Sequence, residues 1–273
     1  IGTHALFQEN VYFDDLALVI IDEQHKFGVH QRLSLSKKAN VTPHQLLMTA
    51  TPIPRSLTMS AYADLDTSII DELPPGRQTI ETVALSNARR DELIEKIKQI
   101  SKEGRQIYWV CTLIEESEAL RAESAEKTFT YLSDNLKDLK VVMIHGRLTK
   151  LEKEIIMSDF ASGKTNLLVA TTVIEVGVNI PNASLMIVEN SERLGLAQLH
   201  QLRGRVGRGS EKSACVLLYQ SPLSQTAKER LDILRQSNDG FLIAQKDLEL
   251  RGPGEILGTQ QTGIASMKIA NIV

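Results

Sequence analysis

Two carboxylates stand directly after a short apolar run near the start of the chain. In ALVIIDEQH (17–25), five apolar residues precede Asp22, Glu23, Gln24 and His25. This pattern fits either a buried strand that ends in a polar loop or a strand that delivers acids to a metal–phosphate site. In nucleotide hydrolases the strand-end Asp holds Mg²⁺ and the neighbouring Glu orients the attacking water. The unbroken apolar run predicts a strand buried on both faces of a parallel sheet.

A second chemically dense segment lies near the other end of the chain. QLRGRVGRG (201–209) holds three arginines and three glycines in nine residues. Guanidinium forks match phosphate oxygens, and glycine lets a backbone approach a phosphate closely. An arginine that reaches the transferred phosphoryl group accelerates its transfer by roughly 10³ to 10⁵. We therefore interpret the segment as phosphate-binding, against the alternative of a solvated charged loop.

Two further patterns carry hydroxyl groups. Thr49 and Thr51 follow an apolar run in MTATP, either as a hydroxyl pair that senses the acidic strand end or as a strand end before a proline-started helix. Gly163-Lys164-Thr165 imitates the end of a phosphate-binding loop, but Ser158 stands where a second glycine is needed. This segment also follows a predicted helix rather than a strand, so we do not interpret it as a phosphate loop.

Composition sets broad limits. The 273 residues are 42% hydrophobic and 24% charged, which is typical of about two globular domains. No stretch approaches the roughly 20 apolar residues of a membrane span. The net charge is -3, so any nucleic-acid contact must come from local patches. Cys111 and Cys215 lie in apolar runs and are expected to be free buried thiols. Because the chain begins with Ile1 and no preceding element, we expect a fragment of a longer protein.

Strand candidates alternate with helix candidates, which predicts parallel α/β sheets. Predicted strands cover 17–21, 45–50, 67–70, 106–111, 140–145, 166–171, 184–189 and 214–219. Predicted helices cover about 87–103, the segment from a capping box at Thr149 to Gly163, and 227–237. The prolines and glycine of LPPGRQ break this rhythm. We therefore predict an incomplete domain at 1–73, a linker at 74–78, a complete domain at 79–221, and a helical hairpin with a Gly-rich tail at 222–273.

Taken together, these motifs resemble the core of superfamily 2 helicases, in the same order along the chain. DEQHKFGVHQR, MTATPIPRSL, TTVIEVGV, ERLGLAQLHQLRGRVGRG and the tail from SNDGF to GTQQTG are similar to the RecG family of bacterial branched-DNA helicases. The resemblance covers essentially the whole chain. The tail resembles the TRG motif, which this family shares with transcription-repair coupling translocases.

The resemblance implies tandem RecA-like parallel-sheet domains, the first one incomplete, with ATP and Mg²⁺ as cofactors. It implies that Asp22 holds Mg²⁺ through water and that Glu23 positions the attacking water. Arg205 and Arg208 would reach the terminal phosphate, and Gln201 would contact nucleotide or DNA. Because the chain contains no phosphate-binding loop, we expect the isolated chain not to hydrolyse ATP.

The resemblance also implies residues that couple hydrolysis to DNA movement and residues that grip the DNA backbone. The expected coupling residues are His25, Thr49, Thr51, Arg251 and Gln261. The expected DNA-binding residues are Gly2, Thr3, His4, His145, Arg147, Thr171, Thr172, Glu175 and Gly177. Phosphate contacts of this kind are independent of base sequence and sensitive to salt. The alternatives are a structural role for His145 and plain strand ends for the two adjacent threonines.

For a full-length protein, the resemblance implies branch migration of Holliday junctions and reversal of stalled replication forks, in recombination and repair. Expected partners are branched DNA and single-strand DNA-binding protein, and no membrane. The expected state is a monomer in the bacterial cytoplasm, at the nucleoid. One alternative is a transcription-repair coupling translocase; another is a piece that binds DNA without catalysis.

Two positions depart from the family pattern. Asn179 stands where family members mostly have Asp, and Gln260 where they mostly have Arg. The first weakens any requirement for a charge at that position, and the second removes one cation that could face DNA. We also expect the incomplete first domain to leave an open sheet edge or an exposed apolar face.

Overall fold

The computed structural model describes residues 1–23, 27, 34–35, 38–49, 66–70, 72, 77–112, 118–171, 180–209 and 211–251. The chain divides into two compact units, residues 1–52 and residues 53–273. The predicted linker at 74–78 begins later and lies mostly outside the described residues, so it stays a prediction. Within the ranges above, every helix is too short or too polar to span a membrane.

The first unit contains two parallel strands. Strand β1 (Leu18–Ile21) pairs with β2 (His44–Leu47), and Ile21 lies beside Leu47. Val19 and Ile21 are buried, whereas Leu18 and Ile20 are 52% and 56% exposed. The prediction that β1 is buried on both faces is therefore wrong for this structure, because two of its four residues are exposed. The expected exposed apolar face is confirmed.

The second unit is built on a six-stranded, all-parallel sheet. Its strands are β3 (Glu81–Ser86), β4 (Gln106–Cys111), β5 (Val141–Ile144), β6 (Leu167–Thr171), β7 (Ala183–Val188) and β8 (Ala214–Tyr219). They lie in the order β3-β8-β7-β4-β6-β5. The helices are α1 (Arg90–Lys102), α2 (Glu118–Asn135), α3 (Lys150–Ala161), α4 (Leu196–Arg203), α5 (Gln225–Gln236) and α6 (Gly240–Arg251).

Two hydrophobic clusters cover the two faces of this sheet. Alternate residues of β4 enter different clusters: Tyr108 packs with α3 to α6, and Trp109 packs with α1 and α2. Every residue of β4 is buried, which is typical of a central strand in a parallel sheet. The amide of Gln106 donates to the carbonyls of Phe160 and Thr165, at 2.6 and 2.8 Å. It thereby fastens the end of α3 to the start of β4.

Several predicted elements are confirmed. Strands 106–111 and 214–219 have the predicted bounds. The capping box of α3 forms between Thr149 and Glu152. Beyond the helix, Gly163 has φ 76°, so the Gly-Lys-Thr segment is a helix end and not a phosphate loop. Both cysteines are free and buried, as expected.

Other predictions differ from the structure. The strand expected at 67–70 does not form; residues 66–70 have no regular structure and are exposed. Strand β3 was not predicted, because its residues are mostly exposed or half-buried and form no apolar run. The helical hairpin and tail at 222–273 stay a prediction, but Leu231, Leu234 and Ile243 are buried in the cluster beside β4. They therefore belong to the core of the second unit.

Candidate functional site

The two acids stand where β1 ends, as predicted. Asp22 is exposed, and its Oδ1 accepts a hydrogen bond from the backbone N–H of Glu23 at 2.8 Å. Glu23 has φ 52°, a left-handed conformation that costs a residue with a side chain about 1 kcal/mol. Backbone strain of this kind is concentrated at functional sites. The geometry is consistent with a chemical role for the pair.

Thr49 lies at the same edge of the small sheet as the acids. The backbone N–H of Met48 donates to the carbonyl of Ile21 at 2.8 Å, which continues the parallel register beyond the strands. Thr49 therefore follows β2 as Glu23 follows β1, and it is half-buried. Its predicted role in coupling stays a prediction.

The segment at Gly2, Thr3 and His4 forms the start of a 3₁₀ turn (His4–Phe7). The backbone N–H of Leu6 donates to the carbonyl of Thr3 at 3.0 Å. A Cβ at Gly2 would lie 2.7 Å from Cγ of Leu6, so a side chain there would force Leu6 to move. Thr3 is exposed and free of side-chain capping, so its hydroxyl can reach a ligand.

The arginine-rich segment begins on α4 and continues into a loop. Leu196, Leu199 and Leu202 are buried along one side of the helix, which fixes its rotation about its axis. Gln201 is half-buried on this helix. After Gly204 the chain turns, with the N–H of Arg205 donating to the carbonyl of Leu202 at 3.0 Å. Two of the three arginines therefore lie beyond the helix, in the loop.

The glycines of this loop are needed for packing against the protein itself. Gly207 has φ 72°, and a Cβ there would lie 2.9 Å from Cγ1 of Ile80. A Cβ at Gly209 would lie 2.7 Å from the carbonyl oxygen of Pro181. The sequence pattern predicts that these glycines let the backbone approach a phosphate. The structure instead shows that they let the loop lie against the segments before β3 and β7.

Arg203 is a structural arginine. It is 2% exposed, and its Nη1 donates to the carbonyls of Leu234 and Ser237, both at 2.8 Å, and to Oγ1 of Thr82 at 3.3 Å. Its Nη2 donates to Nδ1 of His200 at 2.9 Å. Arg203 thus joins α4 to α5 and β3. Sequence spacing alone does not separate it from the other arginines of the motif, nor does it indicate that His200 is its partner.

Arg205 and Arg208 lie in a field of positive charge. The pKa of Arg208 is lowered by partial burial and then by the charges of Arg205 and Arg77. Burial raises the pKa of Tyr108 to about 12, although the positive charges of Arg208 and Arg205 act in the opposite direction. Such a group of cations attracts anions. Neither Tyr108 nor Arg77 was predicted as part of this site.

Polar side chains line the carboxyl edge of the large sheet. Because Ile144 pairs with Ala170, His145 and Thr171 are neighbours after β5 and in β6. The Nδ1 of His145 and the Oγ1 of Thr171 are buried and form no hydrogen bond within the described part of the chain. Arg147 is exposed in the following turn. Three predicted DNA-binding residues are thus brought to one edge, where two polar atoms lack partners.

An ion-pair network lies at the same edge, on the face covered by α1 and α2. Glu189 follows β7 and pairs with Nη1 of Arg90 at 2.6 Å, and its Oε2 accepts from Oγ1 of Thr128 at 3.2 Å. The guanidinium of Arg90 stacks over Trp109 and Tyr131, with 4.9 and 4.7 Å to the ring centroids. A cleft of about 430 Å³ opens beside it. Arg90 and Glu189 are paired with each other, so we assign this network no role in binding phosphate.

Several predicted site residues lie outside the described residues: His25, Thr51, Thr172, Glu175, Gly177 and Gln261. The same holds for Asn179 and Gln260, so the consequences of these departures stay predictions. Arg251 is the last residue of α6, and His4 is the first residue of the 3₁₀ turn. The side chains of both lie outside the part of the chain that the structure describes.

The acids fit the magnesium ion that the motif implies. Mg²⁺ is usually held by one or two carboxylates together with water and substrate phosphates, not by an all-protein cage. The described residues contain no cluster of three or more metal-ligating side chains. Asp22 offers one exposed carboxylate, which suits an ion held largely by water and phosphate.

Comparisons with known proteins point to one family. Residues 88–210 match the family model of the helicase conserved C-terminal domain, and residues 237–273 match that of ATP-dependent DNA helicase RecG, domain 3, C-terminal. Over 277 residues the chain is 64% identical to the ATP-dependent DNA helicase RecG of Escherichia coli strain K12. The chain belongs to the RecG family. The alignment covers 100% of this chain and 40% of the Escherichia coli RecG.

A second RecG relative, from Bacillus subtilis strain 168, is 47% identical over 274 residues, with 100% of this chain and 40% of the relative covered. A solved structure of RecG bound to a three-way DNA junction has 45% identity and a TM-score of 0.73, over 94% of this chain and 33% of that one. The predicted resemblance to the RecG family is confirmed. The alternative of a transcription-repair coupling translocase is not favoured. The chain spans 40% of these curated relatives.

The fold prediction is also confirmed. Besides RecG, the structure of helicase MrfA bound to DNA matches with a TM-score of 0.59 and 18% identity, over 82% of this chain and 34% of that one. At that identity the likeness concerns the fold alone. The parallel sheets are RecA-like, as the sequence motifs of the RecG family imply.

Proposed function

We propose that this chain supplies the acids and arginines of an ATP-driven motor that moves branched DNA. The observation that carries the proposal is the cationic loop after α4, where the charges of Arg205 and Arg77 lower the pKa of Arg208. A group of guanidiniums that repel one another is stabilised by a ligand with several negative charges. A nucleoside triphosphate is such a ligand, and arginine is the side chain that best matches its oxygens.

In this mechanism the arginines act late in the reaction. As the terminal phosphoryl group is transferred, Arg205 and Arg208 stabilise the negative charge that develops on its oxygens. Asp22 would hold a magnesium ion through water, and Glu23 would accept a hydrogen bond from the attacking water and orient it. When bound, Mg²⁺ neutralises phosphate charge. Gln201 contacts the nucleotide or the DNA beside it.

Movement of DNA requires grip on the phosphate backbone. His145, Arg147 and Thr171 lie together at the carboxyl edge of the large sheet, and the buried Thr171 hydroxyl has no hydrogen-bond partner among the described residues. Thr3 offers a second hydroxyl in the other unit. Among the described residues, Thr49 is the candidate for coupling ATP hydrolysis to the movement of DNA. The RecG complex with a three-way DNA junction supports branched DNA as the substrate. Branch migration and fork reversal are the outcome that we propose for movement on such DNA.

The test is ATP hydrolysis by the full-length protein without DNA, with linear duplex and with a synthetic four-way junction. Arg208→Ala is the comparison. We expect strong stimulation by the junction and its loss in the variant, by about a thousandfold or more. Equal stimulation by linear duplex would contradict a branched-DNA motor and support a plain duplex translocase.

We further propose that the isolated chain does not hydrolyse ATP, because it contains no phosphate-binding loop. The measurement is ATP turnover by the 273-residue chain, compared with the same chain carrying Arg208→Ala. Turnover above that of the variant would show that the phosphate loop is dispensable.

A further inference from the structure

Arg77 and Arg208 share one hydrogen-bond acceptor. Nη2 of Arg77 donates to the carbonyl oxygen of Gly204 at 3.4 Å, and Nε of Arg208 donates to the same oxygen at 3.3 Å. Gly204 is the C-cap of α4, and the carbonyl end of a helix favours cations. Two guanidiniums from distant parts of the sequence are therefore held at one point.

The charge at this point is unbalanced within the described residues. The ion pairs in the described part of the chain involve neither Arg77 nor Arg208. Arg77 instead exerts repulsion, since its charge helps to lower the pKa of both Arg208 and His200. Like charges held close together in a partly desolvated place cost free energy unless an anion offsets them.

Arg77 also has donors to spare. Its side chain is half-buried, and a guanidinium carries five N–H donors. The described contacts use one of them, in a long bond to the Gly204 carbonyl. A partly buried guanidinium with free donors beside two other arginines is suited to a bidentate contact with phosphate.

The compactness of the group favours a nucleotide over DNA. Strand-binding proteins spread their cations along a groove that follows the backbone. Here three cations lie around the end of one short helix, where Gly204 is the C-cap. A triphosphate concentrates several negative charges within one molecule and matches this arrangement better.

We propose that Arg77 is a third arginine of the phosphate site and binds the phosphates of ATP together with Arg205 and Arg208. The inference rests on the proposed function and extends it by one residue from the segment before β3. In the sequence, Arg77 lies within the predicted linker, and no motif there indicates a chemical role.

The experiment uses the full-length protein with saturating junction DNA. The variants are Arg77→Ala, Arg77→Lys and, as a matched control, Arg235→Ala, which removes an exposed arginine paired with Asp232 on α5. For Arg77→Ala we expect kcat/KM for ATP to fall by about tenfold or more, mainly through KM, with unchanged affinity for the junction. Arg77→Lys should recover only part of this loss, because lysine keeps the charge but not the fork.

A double variant tests whether the two arginines bind one ligand. If Arg77 and Arg208 contact the same phosphates, Arg77→Ala should cost less in an Arg208→Ala background than in the wild type. Nucleotide affinity is measured separately with a fluorescent ATP analogue, so that the interaction is visible even where turnover is too slow to follow.

Three outcomes are decisive. A kcat/KM for Arg77→Ala within about twofold of the Arg235→Ala control overturns the inference. Loss of junction affinity with an unchanged KM for ATP also overturns it, and assigns Arg77 to the DNA backbone. If Arg208→Ala hydrolyses ATP like the wild type, the proposed function itself fails, which is a separate result. If Arg77→Ala lowers the melting temperature of the protein, the Arg77→Lys variant is used instead. Full ATP hydrolysis by Arg77→Lys would count against a bidentate contact between the Arg77 guanidinium and phosphate.

Discussion

The guanidinium of Arg203 donates a hydrogen bond to Nδ1 of His200 at 2.9 Å. Because a guanidinium can only donate, the imidazole must accept at Nδ1 and is neutral in the fold. Burial lowers the pKa of His200 to about 4, and the positive charges of Arg203 and Arg77 act in the same direction, against Asp239. In the unfolded chain a histidine titrates near 6.5.

This contact predicts a loss of stability in acid. Between about pH 6.5 and pH 4 the unfolded chain binds a proton at His200 that the folded chain does not, so stability falls as the pH falls. The stabilisation that comes from a neutral His200 is fully present above the pKa of this histidine in the unfolded chain. Relative to His200→Gln, which can still accept from Arg203, the wild type should lose about 2 kcal/mol between about pH 7.5 and pH 4.5.

The measurement is urea unfolding of the chain, followed by fluorescence of Trp109. This residue is the only tryptophan in the sequence and is fully buried in the second unit. Parallel pH curves for the wild type and His200→Gln would contradict the prediction.

Substitution of Arg203 should lower stability and substitution of Arg208 should lower ATP hydrolysis, although both arginines belong to one motif. Arg203→Lys should lower the free energy of unfolding by about 2 to 3 kcal/mol, because lysine cannot reproduce four contacts made in a buried site. Arg208→Lys, at an exposed position with one backbone contact, should leave stability unchanged and reduce ATP hydrolysis. Urea unfolding and ATPase assays would reveal the opposite pattern if the roles were reversed.

Arg90→Ala should destabilise the second unit strongly. Glu189 is 11% exposed and would lose its cationic partner, which typically costs about 3 kcal/mol. Arg89 is a matched control one residue earlier, since its pair with Glu92 is exposed on both sides. Arg89→Ala should cause no measurable change in the urea midpoint. Equal effects of the two substitutions would mean that the Glu189 network contributes nothing.

Gly207→Ala should cost more than backbone strain alone. At φ 72° its new Cβ would lie 2.9 and 3.2 Å from the side chain of Ile80. Gly104 has φ 76° with nothing within 4 Å, so Gly104→Ala measures the strain by itself. We expect about 1 kcal/mol for Gly104→Ala and about 2 to 3 kcal/mol for Gly207→Ala, measured by urea unfolding.

The clash should also displace Arg208, which follows Gly207 directly. We therefore expect weaker ATP hydrolysis by full-length Gly207→Ala and normal hydrolysis by Gly104→Ala. If the two alanines cost the same stability, the loop can move away from Ile80 without penalty.

Thr171→Val tests the carboxyl edge of the sheet. The hydroxyl of Thr171 is buried and has no partner among the described residues, so the substitution should leave stability unchanged or raise it by about 1 kcal/mol. If the hydroxyl donates to a DNA phosphate, junction affinity should fall. Thr165→Val is the control, because Thr165 has the same kind of buried, unpartnered hydroxyl before β6 rather than at its end. A similar loss of DNA binding in both variants would exclude a specific contact by Thr171.

Much of the fold could be predicted from local sequence, because the signals act between neighbouring residues. Apolar runs at 106–111 and 214–219 predicted buried strands with the correct bounds. The spacing of Thr149 and Glu152 predicted the start of α3, since a capping box is satisfied within one turn. The position of the acids after β1 was predicted in the same way, because an apolar run is followed directly by two charged residues.

Elements that depend on distant partners were missed. Strand β3 is at the edge of the sheet and exists because it pairs with β8, which is far away in the sequence. The apolar run at 67–70 finds no such partner in the described structure and remains irregular. The spacing of Ala227, Leu231 and Leu234 marks an apolar face on α5, but only the tertiary structure shows that this face meets the cluster beside β4.

The site shows the same division. Sequence spacing was sufficient to identify phosphate chemistry in the arginine-rich motif, since the residue types and the glycines lie within nine positions. Only the tertiary structure decided that Arg203 anchors helices while Arg208 faces outward, and it alone brought Arg77 to within 3.4 Å of a carbonyl 127 residues away. The reason is physical: a guanidinium has the same chemistry everywhere, and burial and neighbouring charges, which depend on the whole fold, determine what it binds.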